Sequence, residues 1–475
     1  MRARRLLCFL PTRSTRPRSL TSAVLRRFSW QSLGLREEVC SAASASWPEP
    51  NVVQSAAIAP LLQGKDCVVG AETGSGKTLA YLLPAMHLLL EETHDRRLFP
   101  RVMILVPNRE LATQARRVAA QLGFQVEAPY DSALSLAARH GKAGIWPYRP
   151  GQCPRALVAT PSFADGFHRD LDLWESLDLL VLDEADALLD GSSKEQLDRI
   201  LVALKRVERR REKTKDLFSS EEEEEEEDVG PPLKRCQRVV VAATLPSYGL
   251  KSVEALVDKH FAGAERVVGA DGAPLPIHAA VPALRQTYVK VQGPEDRSRR
   301  LLESLDPSER TMVFANTANA VQGVAEFLRA RGLASAPYHK NVAPETRLAT
   351  LDAFARGDVK VLCCTDLAAR GLDLPAVDHV IQFEFALNVV NHLHRVGRAA
   401  RAGRPGKAVT FVTQHDLDLV KNIEAKVGKK LDQCTDVHEK DVLALLNPVA
   451  KAMHSATLKR PYEDALSDKD KRKLR

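Results

Sequence analysis

The chain has 475 residues, 44% hydrophobic and 27% charged, with a formal net charge of +7. Such ordinary globular usage excludes wholesale disorder, and at about 150 residues per domain it implies two or three domains with cores of their own. The positive excess sits at the two ends and is offset by one acidic run, so bulk basicity is poor grounds for assigning a nucleic-acid partner.

Residues 1–27 hold eight arginines and no acid, with one short apolar stretch, Leu6–Leu10. This composition reads as an organelle transit peptide, the alternative being a basic arm that is never removed. From Phe28 onward, helical patterns alternate with short apolar runs. The expected strands are Cys67–Gly70, Val102–Val106, Ala156–Ala159, Leu179–Leu182 and Arg238–Ala242. A second series follows at Gln286–Lys290, Thr311–Phe314, Val359–Cys363, His379–Gln382 and Lys407–Phe411. Many of them lack alternation, as strands covered on both faces of a parallel sheet do. The expected fold is α/β, with two parallel-sheet domains in tandem at 28–268 and 286–446, joined by a flexible Gly/Pro-rich linker at 269–285. An insertion at about 207–236 carries eight consecutive acids, Glu221 to Asp228. Charge that dense is expected to stay in a solvated loop. Residues 447–475 read as a basic flexible tail.

The eight cysteines form no C-x-x-C pair, which disfavours a zinc site or a disulfide framework. No apolar run reaches the roughly 18–20 residues that cross a bilayer, so no membrane role is expected.

The strongest local signal is Ala71-Glu72-Thr73-Gly74-Ser75-Gly76-Lys77-Thr78, between a strand and an apolar helix pattern. Gly74 and Gly76 let backbone N–H groups curl around phosphate oxygens. Lys77 suits the β- and γ-phosphates, and Thr78 suits Mg²⁺. The helix start adds a positive dipole end. About a hundred residues on, Leu179-Leu-Val-Leu-Asp183-Glu184-Ala-Asp186 is a buried strand ending in carboxylates. Asp183 is placed to hold Mg²⁺ through water, and Glu184 to deprotonate an attacking water. ATP and Mg²⁺ are therefore the expected cofactors.

With these motifs in order, the chain resembles the DEAD-box ATP-dependent RNA helicases from about Phe28 to His415. That resemblance implies two RecA-like domains. It implies that Trp47 stacks on adenine, that Gln54 reads its edge, and that Asp373 binds the ribose. It assigns Arg398 and Arg401, within His394-Arg-Val-Gly-Arg-Ala-Ala-Arg401, to the γ-phosphate from across the cleft. It assigns Arg109, Thr160, Arg347 and Thr365 to RNA. Several stretches, Phe28–Leu35 and Arg310–Thr317 among them, resemble a plant plastid branch with an acidic insertion. The expected partner is then organellar rRNA or an assembling ribosomal particle, the protein a monomer, and the compartment a plastid, with the mitochondrion as the alternative. Three departures stand out: Asn108 where Thr is usual, Ala242-Ala-Thr244 for Ser-Ala-Thr, and Ser162-Phe163 for Gly-Arg. No Gly-Gly pair occurs at 123–153 either. The last three touch the RNA or coupling side. They imply an RNA-stimulated ATPase with weak unwinding, or alternatively an ATP-gated RNA clamp.

Overall fold

The computed structural model describes residues 28–71, 74–90, 99–129, 146, 148, 153–189, 191–218, 235–242, 253–268, 284–369, 374, 377–399, 405–417, 420–421 and 432–433. The leader at 1–27, the acidic run, most of the linker and the tail at 447–475 lie outside them.

Two parallel sheets form the body. The first has six strands: β1 (Cys67–Gly70), β2 (Val102–Leu105), β3 (Ala156–Ala159), β4 (Leu179–Leu182), β5 (Gln237–Ala242) and β6 (Glu265–Arg266), in the order β3-β2-β4-β5-β1-β6. The second has seven: β7 (Leu284–Lys290), β8 (Thr311–Phe314), β9 (Ser335–Tyr338), β10 (Val361–Cys364), β11 (His379–Gln382), β12 (Gly406–Val412) and β13 (Asp432–Gln433), in the order β13-β7-β12-β11-β8-β10-β9.

The unbroken apolar strands have a direct physical reason. In the first sheet Val69, Ile104, Val158, Val181 and Val241 pack into one helix layer. Their chain neighbours Val68, Met103, Leu157, Leu180 and Val240 pack into the layer opposite. The second sheet repeats this, with Val313, Cys363 and Ile381 on one face and Met312, Leu362, Cys364 and Val380 on the other. Both faces need apolar residues, so alternation disappears. Cys363 and Cys364 thus face opposite ways and share no ligand. Burial pushes the Cys236 thiol up to about 12 and raises Cys363 and Cys364 as well, which leaves all three unreactive.

Three expectations change, and three strands were not anticipated. β7 starts at Leu284, inside the segment expected to be linker. The helix Gly191–Phe218 runs well into the segment expected to be a solvated loop, because Lys, Arg and Glu are good helix formers. β10 begins at Val361, not Val359: Gly357 at φ 87° ends the preceding helix and Val359 N–H still bonds back to Ala353. The edge strands β6, β9 and β13 carry no apolar run and escape the sequence reading; β9 contains Pro337, which an edge tolerates.

Two buried histidines make the second domain acid-sensitive. His392 has Gln286 on Nε2 (3.2 Å) and Gln382 on Nδ1 (2.8 Å), partners that suit the neutral ring. Burial lowers it from 6.5 to about 3, and lowers His379 equally. Below pH 6.5 the unfolded chain takes up protons that the fold refuses, so stability present above 6.5 is lost as pH falls. At about pH 5.5 the cost is about 1 kcal/mol per histidine. Melting at about pH 7.5 and 5.5 checks this: the temperature should fall, and fall less in a His379→Gln variant.

Candidate active site in the interdomain cleft

The chemistry-bearing residues stand at the carboxyl ends of the strands, where open parallel sheets bind ligands. β1 leads into Ala71, and the helix Lys77–Leu89 begins directly after Gly76. Gly74 and Gly76 sit at φ 83° and 78°, the left-handed region glycine permits. At Gly76 space is also exhausted: a Cβ would meet the Gln54 and Asn51 amides at 2.4 and 2.6 Å.

Gln54 and Asn51 hold this loop from the segment expected to read adenine. They form a reciprocal cap on the helix Val52–Leu62, with Gln54 Oε1 accepting from Asn51 N–H at 2.9 Å. Asn51 Nδ2 donates to the Ser75 carbonyl (2.9 Å) and Gln54 Nε2 to the Gly76 carbonyl (3.2 Å). Gln54 is thus a buried strut of the loop, with both ends of its amide engaged. Trp47 is half-buried against the first-domain core, and its carbonyl accepts from Trp30 Nε1 at 2.7 Å. Lys77 is buried, its ammonium donating to the Ala71 carbonyl at 2.7 Å. Glu72, Thr73, Asp373 and Arg401 lie outside the described residues.

Asp183, at the end of β4, accepts from the Tyr81 hydroxyl at 2.8 Å, and Tyr81 in turn is hydrogen-bonded to Thr78. Tyr81 therefore joins Thr78 to Asp183, the pair expected at Mg²⁺. In the sequence it looks like one more core residue of an apolar helix. Burial first, and then the Glu184 charge, push the Asp183 carboxyl up to about 6. Glu184 is buried, and its Oε2 has no hydrogen-bond partner among the described residues. Asp183, half-buried, and buried Glu184 are carboxylates on consecutive residues that the Lys77 charge offsets only in part, and a dication would relieve the remainder. The donors present fit the hard oxygen ligation of Mg²⁺.

Glu184 has a second peculiarity: it is the one non-glycine described residue with positive φ, at 51°. Its carbonyl accepts from Ala187 and Leu188 N–H at 2.8 and 3.0 Å, which holds this turn at the start of the short helix Ala185–Leu188.

The second domain closes on this edge. His394, on the helix Val389–Val396, places Nε2 2.9 Å from Asp186 Oδ2, with both side chains buried. Oxygen and nitrogen donors of Glu184, Asp186 and His394 gather within 4.8 Å. A second bridge joins Arg347 to Glu110, both buried. Arg347 NH1 also donates to the Lys340 and Val342 carbonyls at 3.2 and 3.0 Å. Arg347, expected on RNA, is here an interdomain contact. Arg398 is buried and donates from Nε to the Ala369 carbonyl at 2.8 Å.

Arg395 has no role in the sequence reading, yet it organises this domain. Fully buried, it donates to Asp366 Oδ1 (2.5 Å), the Glu384 carbonyl (2.8 Å) and Asn316 Oδ1 (2.7 Å). Asn391 completes the set, donating to Asp366 Oδ2 at 3.0 Å. Three separate segments of the chain are tied to one guanidinium.

Arg109 and Thr160 stand half-exposed at the ends of β2 and β3, with Thr365 at the end of β10. Asn108 caps the helix Arg109–Gln121, accepting from Leu111 N–H at 2.9 Å; asparagine caps at least as well as threonine, so this departure is absorbed locally. Phe163 turns away from any phosphate role and packs on Phe167, ring centroids 5.4 Å apart. Ala242 is fully buried.

Two parallel α/β domains, one with a phosphate loop and paired acids, the other docked on them through a histidine, define a tandem RecA-like P-loop ATPase. Residues 51–252 match the DEAD/DEAH box helicase family model, and residues 296–403 match the helicase conserved C-terminal domain. The ATP-dependent RNA helicase DDX47 of Drosophila melanogaster is 33% identical over 91% of this chain and 77% of its own length. The ATP-dependent rRNA helicase RRP3 of Gibberella zeae is 30% identical over 90% and 80%. Among solved structures, S. cerevisiae Dbp5 bound to RNA and ADP BeF3 superposes with a TM-score of 0.64 at 22% identity, covering 88% of this chain and 100% of that one. The chain belongs to the DEAD-box family of ATP-dependent RNA helicases.

Proposed function

We propose that this helicase uses ATP to remodel structured RNA or RNA–protein complexes in an organelle, with rRNA of an assembling ribosome as substrate. The observation that carries the mechanism is the Asp183–Glu184–Asp186 turn, held under the phosphate loop by Tyr81 and closed from the other domain by His394. Lys77 would exchange its Ala71 carbonyl for the β- and γ-phosphate oxygens. Glu184, buried and lacking a partner on Oε2, would orient and deprotonate the attacking water. Thr78 and Asp183 would hold Mg²⁺, Asp183 through water; the ion supplies charge neutralisation along the phosphate chain. Arg398 and Arg401 would supply positive charge from the second domain, so hydrolysis requires closure. RNA gripped by both domains at Arg109, Thr160 and Thr365 would favour the closed state. The rRNA assignment draws on the name of the Gibberella zeae relative. The organellar assignment draws on the eight arginines of residues 1–27, and the plastid is chosen over the mitochondrion on the resemblance of the motif stretches.

ATPase assays with RNA and with matched single-stranded DNA test the substrate class: RNA alone should stimulate. A fluorescent protein fused after residue 27 tests the address. Fluorescence that stays outside organelles, or is unchanged when residues 1–27 are deleted, would end the organellar reading.

Phe163, packed on Phe167, and Ala242, without a hydroxyl, favour a second reading: an ATP-gated RNA clamp with little unwinding. Robust displacement of a short RNA duplex would sink it.

A further inference from the structure

The first domain carries a basic surface outside the interdomain cleft. A cleft of about 350 Å³ lies between the end of the segment Pro161–Phe167 and the long helix Gly191–Phe218, lined by His168, Arg169, Asp198, Arg199, Val202 and Arg206. At 100° per residue, Arg199, Val202, Arg206, Arg209, Arg210 and Lys213 fall on one face of that helix. The stripe from Arg199 to Lys213 is about 21 Å long at 1.5 Å per residue.

Some of these cations are already engaged. Arg199 holds Asp165 in a bidentate pair at 2.7 and 2.6 Å, and Arg210 lies 3.4 Å from both Asp172 and Glu175. Asp198, the acid in the cleft, is taken by Lys194 at 2.6 Å. Arg169, Arg206 and Arg209 remain: exposed, with no ion pair or hydrogen bond among the described residues. A solvated helix normally mixes charge signs to support itself, and this one does so with Glu208 and Glu212 off the stripe and exposed Glu195 one turn before Arg199. Here three guanidiniums share one open face around the exposed Val202. Planar forks of N–H donors match phosphate oxygens.

We infer that this cleft and stripe form an auxiliary RNA-backbone site, bound through phosphates without sequence preference. Helical geometry places Arg169 within roughly 15 Å of Thr160, a span that a few nucleotides of RNA leaving the two-domain path would cover. The inference rests on the RNA-binding reading of that path, and the test separates the two.

The full chain and an Arg169→Ala/Arg206→Ala/Arg209→Ala variant are titrated with two labelled RNAs. One is a short oligo-U that fills only the two-domain path; the other is several times longer. The variant should bind the long RNA about tenfold more weakly, with the slope of log K against log salt reduced by about 2. Short-RNA affinity and RNA-stimulated turnover should not change, and Arg→Lys replacements should restore most of the salt slope. Equal affinity and slope for the long RNA would show a merely solvated face and overturn the proposal. So would retention of long-RNA binding with loss of binding to a poly-glutamate peptide, which would assign the surface to an acidic protein. Failure of the unaltered chain to bind even the short RNA would refute the underlying reading.

Discussion

A Glu184→Gln protein is expected to bind ATP and RNA normally and to hydrolyse about 10²–10⁴-fold more slowly, the usual contribution of a positioned general base. The amide keeps the shape of the side chain and loses the lone-pair basicity. Because Oε2 of Glu184 has no partner among the described residues, the exchange breaks no hydrogen bond at that atom, and folding should be unaffected. Removing the charge also takes away the second cause of the raised Asp183 carboxyl, which should then titrate lower. The trapped product is a closed complex that releases RNA slowly. Single-turnover hydrolysis at saturating RNA checks the claim: a rate within tenfold of the unaltered protein would remove Glu184 from the role of base.

The second large effect lies away from the reacting atoms. Arg395→Met should destabilise the second domain by about 2–4 kcal/mol, below the top of the range for a buried ion pair because Asp366 keeps 27% of its side chain exposed and its charge stays partly hydrated. Asp366, Asn316 and the Glu384 carbonyl all lose a donor in one step. For a domain of this size each kcal/mol shifts melting by about 2–4 °C, so a fall of roughly 10 °C is expected. Pairing the change with Asp366→Asn should recover part of the loss, because no uncompensated carboxylate then remains. Denaturant unfolding reads both variants. A loss below 1 kcal/mol in the single variant would mean that the guanidinium is not the domain's organising contact.

Much of this architecture was legible from residue order. The strands announced themselves because sheets covered on both faces demand consecutive apolar residues, as at Leu179–Leu182 and Thr311–Phe314. The phosphate loop did so because glycine is required at φ 78° above the Asn51 and Gln54 amides. What was hidden shares a different character. β6 and β13 are two-residue edges, and nothing about Glu265-Arg266 marks a strand. Tyr81, Glu110 and Arg395 act through partners that are distant in sequence: Asp183, Arg347 and the Asp366–Asn316 pair. No local periodicity encodes such a meeting. The helix to Phe218 is hidden for another reason: a dense run of charge masks the helix-forming tendency of the same lysines, arginines and glutamates.

The left-handed backbone at Glu184 has a bearing on how this protein could be improved by selection. A side chain there costs about 1–2 kcal/mol relative to glycine, whose missing Cβ removes the clash. Any screen that rewards thermal tolerance alone is therefore drawn toward the very position proposed as the general base, and if that proposal holds the hardier descendants would be inert. A library intended to toughen this enzyme has to hold residue 184 constant, or score turnover alongside survival.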